Sequence, residues 1–226
     1  MKKLFFSAIS SLLLGGLLLT SCMPSADGPT PPPNALFNLV NASPKSADLK
    51  VSLGGNPSEM DYKEVFTRLL ATPGTYKFKV TNKEGSREFL NKDVEFISGR
   101  YYSMVLVDTL SKMELVVLKD SIVDVAQDSA RIRFANMVPD VQKMDFYIKG
   151  QAEPVAKDVS YKTAVEFMRV KSASSVIIEA KASGTNELLG TSEAKEFKGG
   201  SINTIFASGF KSLNDEGKIH VGLMQH

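Results

Sequence analysis

Residues 35–44 read A-L-F-N-L-V-N-A-S-P, and residues 130–139 read A-R-I-R-F-A-N-M-V-P. The blocks lie 95 residues apart, and Ala, Asn and Pro coincide between them. The likeness continues outward. Asp48–Gly54 and Asp145–Gly150 each read as an Asp-led strand ending near Gly. Gly74–Val80 matches Ser174–Ala180, and Gly99–Leu106 matches Gly200–Ala207. Features in the same order in both halves mark an internal repeat. The elements read as strands, because apolar residues alternate with polar ones: Leu49, Val51 and Leu53 around Lys50 and Ser52; Tyr76, Phe78 and Val80 around Lys77 and Lys79. Ile132 and Phe134 alternate with Arg131 and Arg133, and Ile219, Val221 and Leu223 with His220 and Gly222. Period two places one face on a core and the other in water, which puts Arg133 and His220 outside.

Turn signals at Gly54–Pro57, Thr72–Gly74, Lys83–Gly85, Ser98–Gly99, Ser183–Gly184 and Gly199–Gly200 separate these runs. About seven strands per half at this spacing predict two tandem immunoglobulin-like β-sandwiches, an all-β fold. Met60–Leu70 has some helical spacing and is read as strand plus crossover. The predicted domains are residues 35–120 and 128–226.

A strand ending in Asn41-Ala42-Ser43-Pro44, then Pro73-Gly74-Thr75-Tyr76, then Gly99-Arg100-Tyr101-Tyr102, resembles a bacterial domain family of unknown function. Its members carry tandem immunoglobulin-like or transthyretin-like β-repeats in secreted and lipid-anchored proteins. The second half departs from the pattern at Met137-Val138-Pro139 and Ala173-Ser174-Ser175. These motifs mark turns and core positions, and the resemblance carries over no catalytic residues.

Lys2 and Lys3 precede an apolar run, Leu4–Leu19, and the sequence Leu19-Thr20-Ser21-Cys22 follows. A charged start, an apolar stretch too short to span a bilayer and small residues before a cleavage point form a secretory signal. The last four residues resemble a lipobox, which implies cleavage after residue 21 and lipidation of Cys22. The chemistry suits Cys because the thiolate is a strong nucleophile. Cys22 is the only cysteine, so lipidation removes a free thiol and no disulfide is available to the fold. Residues 22–34 are Pro-rich and read as an extended tether. Asp27 is its only charge, which leaves the membrane face open.

Lys2 and Lys3 are two of the 27 basic residues, and removing them leaves 25 against 25 acidic ones. A neutral chain without a basic stripe excludes nucleic acid as the expected partner. The chain has two histidines, His220 and His226, and no Gly-x-Ser-x-Gly elbow, P-loop or His-Glu-x-x-His motif. No catalytic, cofactor-binding or metal-binding residue is therefore expected. Asp120, Asp124 and Asp128 recur every fourth residue between the repeats. Their carboxylates raise calcium as a question, against a plain polar linker or a strand through Ile122, Val123 and Val125. Tyr101 and Tyr102 are adjacent, so one should enter the core and the other face outward. The absence of Trp weakens a sugar-stacking reading.

The chain thus reads as a non-catalytic lipoprotein of the cell envelope, anchored to the outer membrane through Cys22 and serving as an adhesin-like or envelope-complex module. An accessory glycan-binding lipoprotein of a transport system is the alternative. The partner is a protein or a glycan, met by the irregular loops Gly54–Asp61 and Gln151–Ser160.

Overall fold

Alternating β-branched and aromatic residues produce strands throughout the computed structural model, which describes residues 33–46 and 48–226. The first repeat forms β1 (Ala35–Asn41), β2 (Leu49–Leu53), β3 (Ser58–Met60), β4 (Val65–Ala71), β5 (Gly74–Asn82), β6 (Glu88–Phe96), β7 (Tyr101–Val107) and β8 (Glu114–Asp120). The second forms β9 (Ser129–Met137), β10 (Lys143–Ile148), β11 (Ala156–Ser160), β12 (Thr163–Ala164), β13 (Met168–Lys171), β14 (Ala173–Val176), β15 (Ile178–Ala182), β16 (Leu188–Thr191), β17 (Lys195–Phe197), β18 (Ile202–Ser208) and β19 (His220–Gln225). The Met60–Leu70 stretch is strand at both ends, as β3 and β4. The second repeat exceeds the expected strand count because the counterparts of β4, β5 and β6 are each broken in two. At one break the Ser192 hydroxyl accepts from the Ile178 N–H at 2.9 Å.

Each repeat has the same strand order. Sheet β4-β1-β7-β8 faces sheet β3-β2-β5-β6. Sheet β12-β9-β18-β19, with β13 also on β9, faces sheet β11-β10-β15-β16. The registers agree as well. Leu36 pairs with Tyr101 in the parallel β1–β7 ladder, and Arg131, 95 residues after Leu36, pairs with Ile202 in the parallel β9–β18 ladder. One detail of the sequence alignment shifts. Leu49 pairs with Asn82 and Met144 with Ala182, at the start of equivalent hairpins. Asp145 therefore matches Lys50, not Asp48. It lies inside its strand, where its carboxylate accepts from the Asp158 N–H and the Ser183 hydroxyl.

Each sandwich has its own core. In the first, the Phe37 and Phe96 rings lie 5.1 Å apart, and Tyr102 meets Phe96 edge-on at 5.4 Å. The Tyr102 hydroxyl is the acceptor for the Ile97 N–H, while Tyr101 is exposed, so the adjacent tyrosines divide as expected. In the second, Phe134 and Phe146 stack tilted at 5.0 Å.

A third apolar cluster lies between the repeats. It joins Val40, Ala42, Val105, Val107 and Val116 of the first to Ala135, Met137, Phe206 and Met224 of the second. Sheet β4-β1-β7-β8 is thus covered on both faces, and so is β12-β9-β18-β19, giving four layers. This corrects the expectation that alternate residues of these strands meet water. Arg133 is 4% exposed, and the His220 ring packs edge-on against Tyr62 and Phe206 at 6.0 and 6.2 Å. Gly222 opposes Phe206 across the β18–β19 ladder, and a Cβ there would fall 2.6 Å from the ring. The bulk of Phe206 at this seam thus depends on the glycine beside it.

Candidate functional site

The seam relates equivalent positions of the two repeats. Val40 matches Ala135, Ala42 matches Met137, and Val105 matches Phe206. By the same register Asn38 matches Arg133, Ser103 matches Thr204, and Asp120 matches His226. All six polar side chains meet at one end of the seam. Arg133 reaches across to the Asp120 carboxylate and the Ser103 hydroxyl, and its Nε donates to Thr204 Oγ1 at 2.8 Å. The Ser103 hydroxyl donates to Asp120 at 2.8 Å. His226 Nε2 stands 2.8 Å from Thr204 Oγ1, and Nδ1 stands 3.3 Å from Asp120. The Asn38 side-chain amide nitrogen also lies 3.2 Å from His226 Nδ1, so both ring nitrogens are engaged at this end of the seam.

The Asp120 side chain is fully enclosed. Burial pushes its carboxyl up, but the hydrogen bond from His226, the charge on Arg133 and the Ser103 hydroxyl outweigh that and hold it below the ordinary carboxylate value. The Arg133 guanidinium also lies 4.4 Å from the centre of the Phe167 ring. These groups satisfy one another, so the arrangement works as a tie between repeats.

Nearer the other end, a Tyr-Lys pair recurs. Tyr62-Lys63 and Tyr161-Lys162 lie at turns entering β4 and β12, and both lysines have positive φ, +70° and +64°. Their N–H groups donate to Asn41 and Asn136 carbonyls at equivalent places. Each lysine ammonium lies about 5 Å from the centre of its neighbouring tyrosine ring. Both tyrosine hydroxyls are buried without a hydrogen-bond partner. Burial, then the charge of Glu216, pushes the Tyr62 hydroxyl up to about 12; Ser208, close by, is engaged by His220 Nδ1 at 3.1 Å. Burial likewise raises Tyr161, with Asp108 and Glu114 adding to it. His220 is pulled down to about 4 by burial and by the charges of Lys63 and Lys195. Sequence reading passed over the recurring Tyr-Lys pair, although it was visible as a repeated dipeptide.

At this loop end the seam opens into a cleft of about 480 Å³. Pro44 and Lys45 come from the turn after β1, Leu110 and Ser111 from a 3-10 turn (Leu110–Lys112) between β7 and β8, and Phe210 and Leu213 from the loop between β18 and β19. Both repeats therefore build it. The long β18–β19 loop is held at its neck, where the Phe210 N–H donates to the Gly217 carbonyl at 2.9 Å. Asp140 also accepts from the Lys211 and Ser212 N–H groups at 2.8 and 2.9 Å. Gly217 lies against Pro44 of the first repeat, where a Cβ would fall 3.3 Å away. Lys45 pairs with Asp215 across the seam at 2.8 Å.

The residues expected to carry function fall elsewhere. Cys22, the signal peptide and nearly all of the tether lie outside the described residues. Pro33 begins the described chain, and its carbonyl accepts from Gly99 N–H and the Ser98 hydroxyl. The acids Asp120, Asp124 and Asp128 do not converge. Asp120 is bound to Arg133, Asp124 is exposed, and Asp128 is exposed and pairs with Arg169 at 2.9 Å. Among the described residues, no three His, Cys, Asp or Glu side chains stand together as a metal site. Residues 121–126 form no strand. Of the two loops singled out, Gly54–Asp61 holds a turn and β3, and its Asn56 and Ser58 border an apolar slot of about 260 Å³ beside β4. In Gln151–Ser160, β11 occupies the second half. Neither loop lines the cleft at the seam.

Two sandwiches of one strand order, sealed through equivalent sheets and open at one loop end, define the class: a duplicated β-sandwich module. The chain belongs to the family described as a domain of unknown function (DUF4397), whose model matches residues 35–147 and again 130–221. No curated protein matches the chain. Among solved structures, it is similar to one described as alpha-glucan binding by a streptococcal virulence factor, at 12% identity and a TM-score of 0.26, covering 82% of this chain and 96% of that one. It is also similar to CBMbc (family CBM26) from Eubacterium rectale in complex with maltoheptaose, at 8% identity and a TM-score of 0.26, covering 85% and 97%. A third is a leucine-rich repeat protein from Bacteroides thetaiotaomicron, at 13% identity and a TM-score of 0.20, covering 76% and 25%. Likenesses at TM-scores this low define neither fold nor ligand for this chain.

Proposed function

We propose that the chain is a non-catalytic, lipid-anchored binding module of the cell envelope whose working surface is the loop end of the seam. The observation that carries this is the cleft of about 480 Å³, assembled from turns of both repeats over two doubly covered sheets. Loops held on a rigid scaffold supply contacts without loosening the strands beneath them. The groups that chemistry would use are engaged in structural ties: Asp120 with Arg133, His226 with Asp120 and Thr204, His220 with Ser208. The anchor is read from Leu19–Cys22 and the Pro-rich stretch after it. A glycan partner has less support, because Phe210 is the one aromatic residue lining the cleft and the chain has no Trp.

The test compares what co-purifies with the detergent-extracted full-length protein. Ser111→Trp, which fills the cleft from an exposed position, should abolish capture. Replacing Asn56–Glu59 by Gly-Ser sequence should leave it intact. Capture lost only in the second variant would move the working surface to the slot beside β4.

A further inference from the structure

The cleft has a chemical polarity that the fold does not require. Its floor is apolar, made by Pro44, Leu110, Phe210 and Leu213. The charged residues lining it are Lys45 and Arg87, with no carboxylate among the lining residues. Lys45 is already paired with Asp215. Arg87 makes no ion pair among the described residues; its guanidinium lies 5.2 Å from the centre of the Phe89 ring. An uncharged apolar ligand would cover this cation without replacing its water, which is unfavourable. A sugar would satisfy the cation's hydrogen bonds but leave the apolar floor poorly used.

The walls are also set in advance. Asp140 fastens the Lys211–Ser212 backbone, and the Lys112 N–H closes its 3-10 turn on the Thr109 carbonyl at 2.9 Å. A preformed site avoids the cost of ordering loops on binding, and the volume falls in the range of roughly 300–1,000 Å³ that encloses small organic ligands.

We propose that this cleft binds a small amphiphilic anion: an apolar chain or ring system against Leu110, Phe210 and Leu213, ending in one carboxylate-like headgroup on Arg87. The proposal rests on the cleft being the binding surface and adds the ligand's chemistry. A guanidinium–carboxylate contact is charge-assisted and can be bidentate, so headgroup and body are recognised separately.

The experiment is titration calorimetry on the mature chain made without its leader and with Cys22→Ser, so that no acyl group of its own competes. The probes are dodecanoate, dodecanol and butyrate. Dodecanoate should bind with a Kd on the order of micromolar, and dodecanol and butyrate more weakly by about tenfold or more, since each lacks one half of the recognition. Arg87→Ala should weaken dodecanoate by about tenfold while leaving dodecanol no weaker. Ser111→Trp should remove binding of all three. No dodecanoate binding by the wild type would overturn the ligand class, even where Ser111→Trp still abolishes capture of the native partner. Equal binding of dodecanoate and dodecanol would overturn the role of Arg87. Dodecanoate binding unchanged in Ser111→Trp would overturn the site itself.

Discussion

Arg133→Ala is the substitution with the largest expected effect for a residue that sequence alternation assigns to the surface. The residue is 4% exposed, and its guanidinium touches Asp120, Ser103, Thr204 and the Phe167 ring. Truncation leaves the Asp120 carboxylate enclosed, with the His226 and Ser103 hydrogen bonds but no countercharge. Breaking a buried ion pair from one side costs about 3–5 kcal/mol, whereas an exposed pair is worth about 0–1 kcal/mol. The expected loss is therefore about 3–5 kcal/mol. Asp120→Leu in the Arg133→Met background should recover much of that loss, because no charge is then stranded. A double-mutant cycle should return a coupling of at least about 2 kcal/mol. The assay is urea unfolding followed by circular dichroism and tyrosine fluorescence, the chain having no Trp. A loss below about 1 kcal/mol for Arg133→Ala, or additive single substitutions, would refute the seam as a structural tie.

His220 gives the pH dependence. Its folded value, about 4, lies below the ordinary imidazole value of 6.5, so its neutral form contributes stability above pH 6.5 that is lost as pH falls toward 4. The full loss is about 3 kcal/mol, and His220→Phe should flatten that slope in urea midpoints measured from pH 7 to 4. The Asp120 carboxyl acts at lower pH: its depressed value keeps a contribution above the ordinary carboxylate range that disappears as the group protonates. Phe206→Ala should cost about 3–5 kcal/mol, as much as Phe78→Ala in the first core; a cost near zero would mean that the seam is not packed in solution. Fragments 35–120 and 128–226 should associate through the uncovered β1–β7–β8 and β9–β18–β19 faces, so monomeric fragments in analytical ultracentrifugation would argue against the seam. Cys22→Ser should remove the lipid mass from the N-terminal peptide and release the protein from membranes; wild-type peptide without that mass would end the lipoprotein reading.

The sequence by itself determined much of what depends on near neighbours. Alternation at Leu49–Leu53 and Tyr76–Val80, turn residues at Lys83–Gly85 and Ser183–Gly184, and the matching blocks at Ala35 and Ala130 define the strands, the hairpins and the repeat. Local sterics and period-two patterning suffice for these. What lies beyond one face of a strand was a different matter. Ser103–Val107 (S-M-V-L-V) and Ile205–Ala207 (I-F-A) are apolar on both sides, a pattern of strands covered on two faces, as the parallel β1–β7 and β9–β18 pairs are. That signal is legible in the sequence, whereas the neighbouring strand β9 carries Arg131 and Arg133 on the side that alternation assigns to water. The partners of Arg133 could not be read at all. Asn38 and Arg133, Ser103 and Thr204, Asp120 and His226 share positions but not chemistry, so no residue likeness connects them. Only the tertiary structure brings Asp120 to His226, because burial of the seam's apolar face, far apart in sequence, sets which polar groups must satisfy one another. The cleft has the same origin: its walls are turns from both repeats, and each turn alone is an ordinary loop.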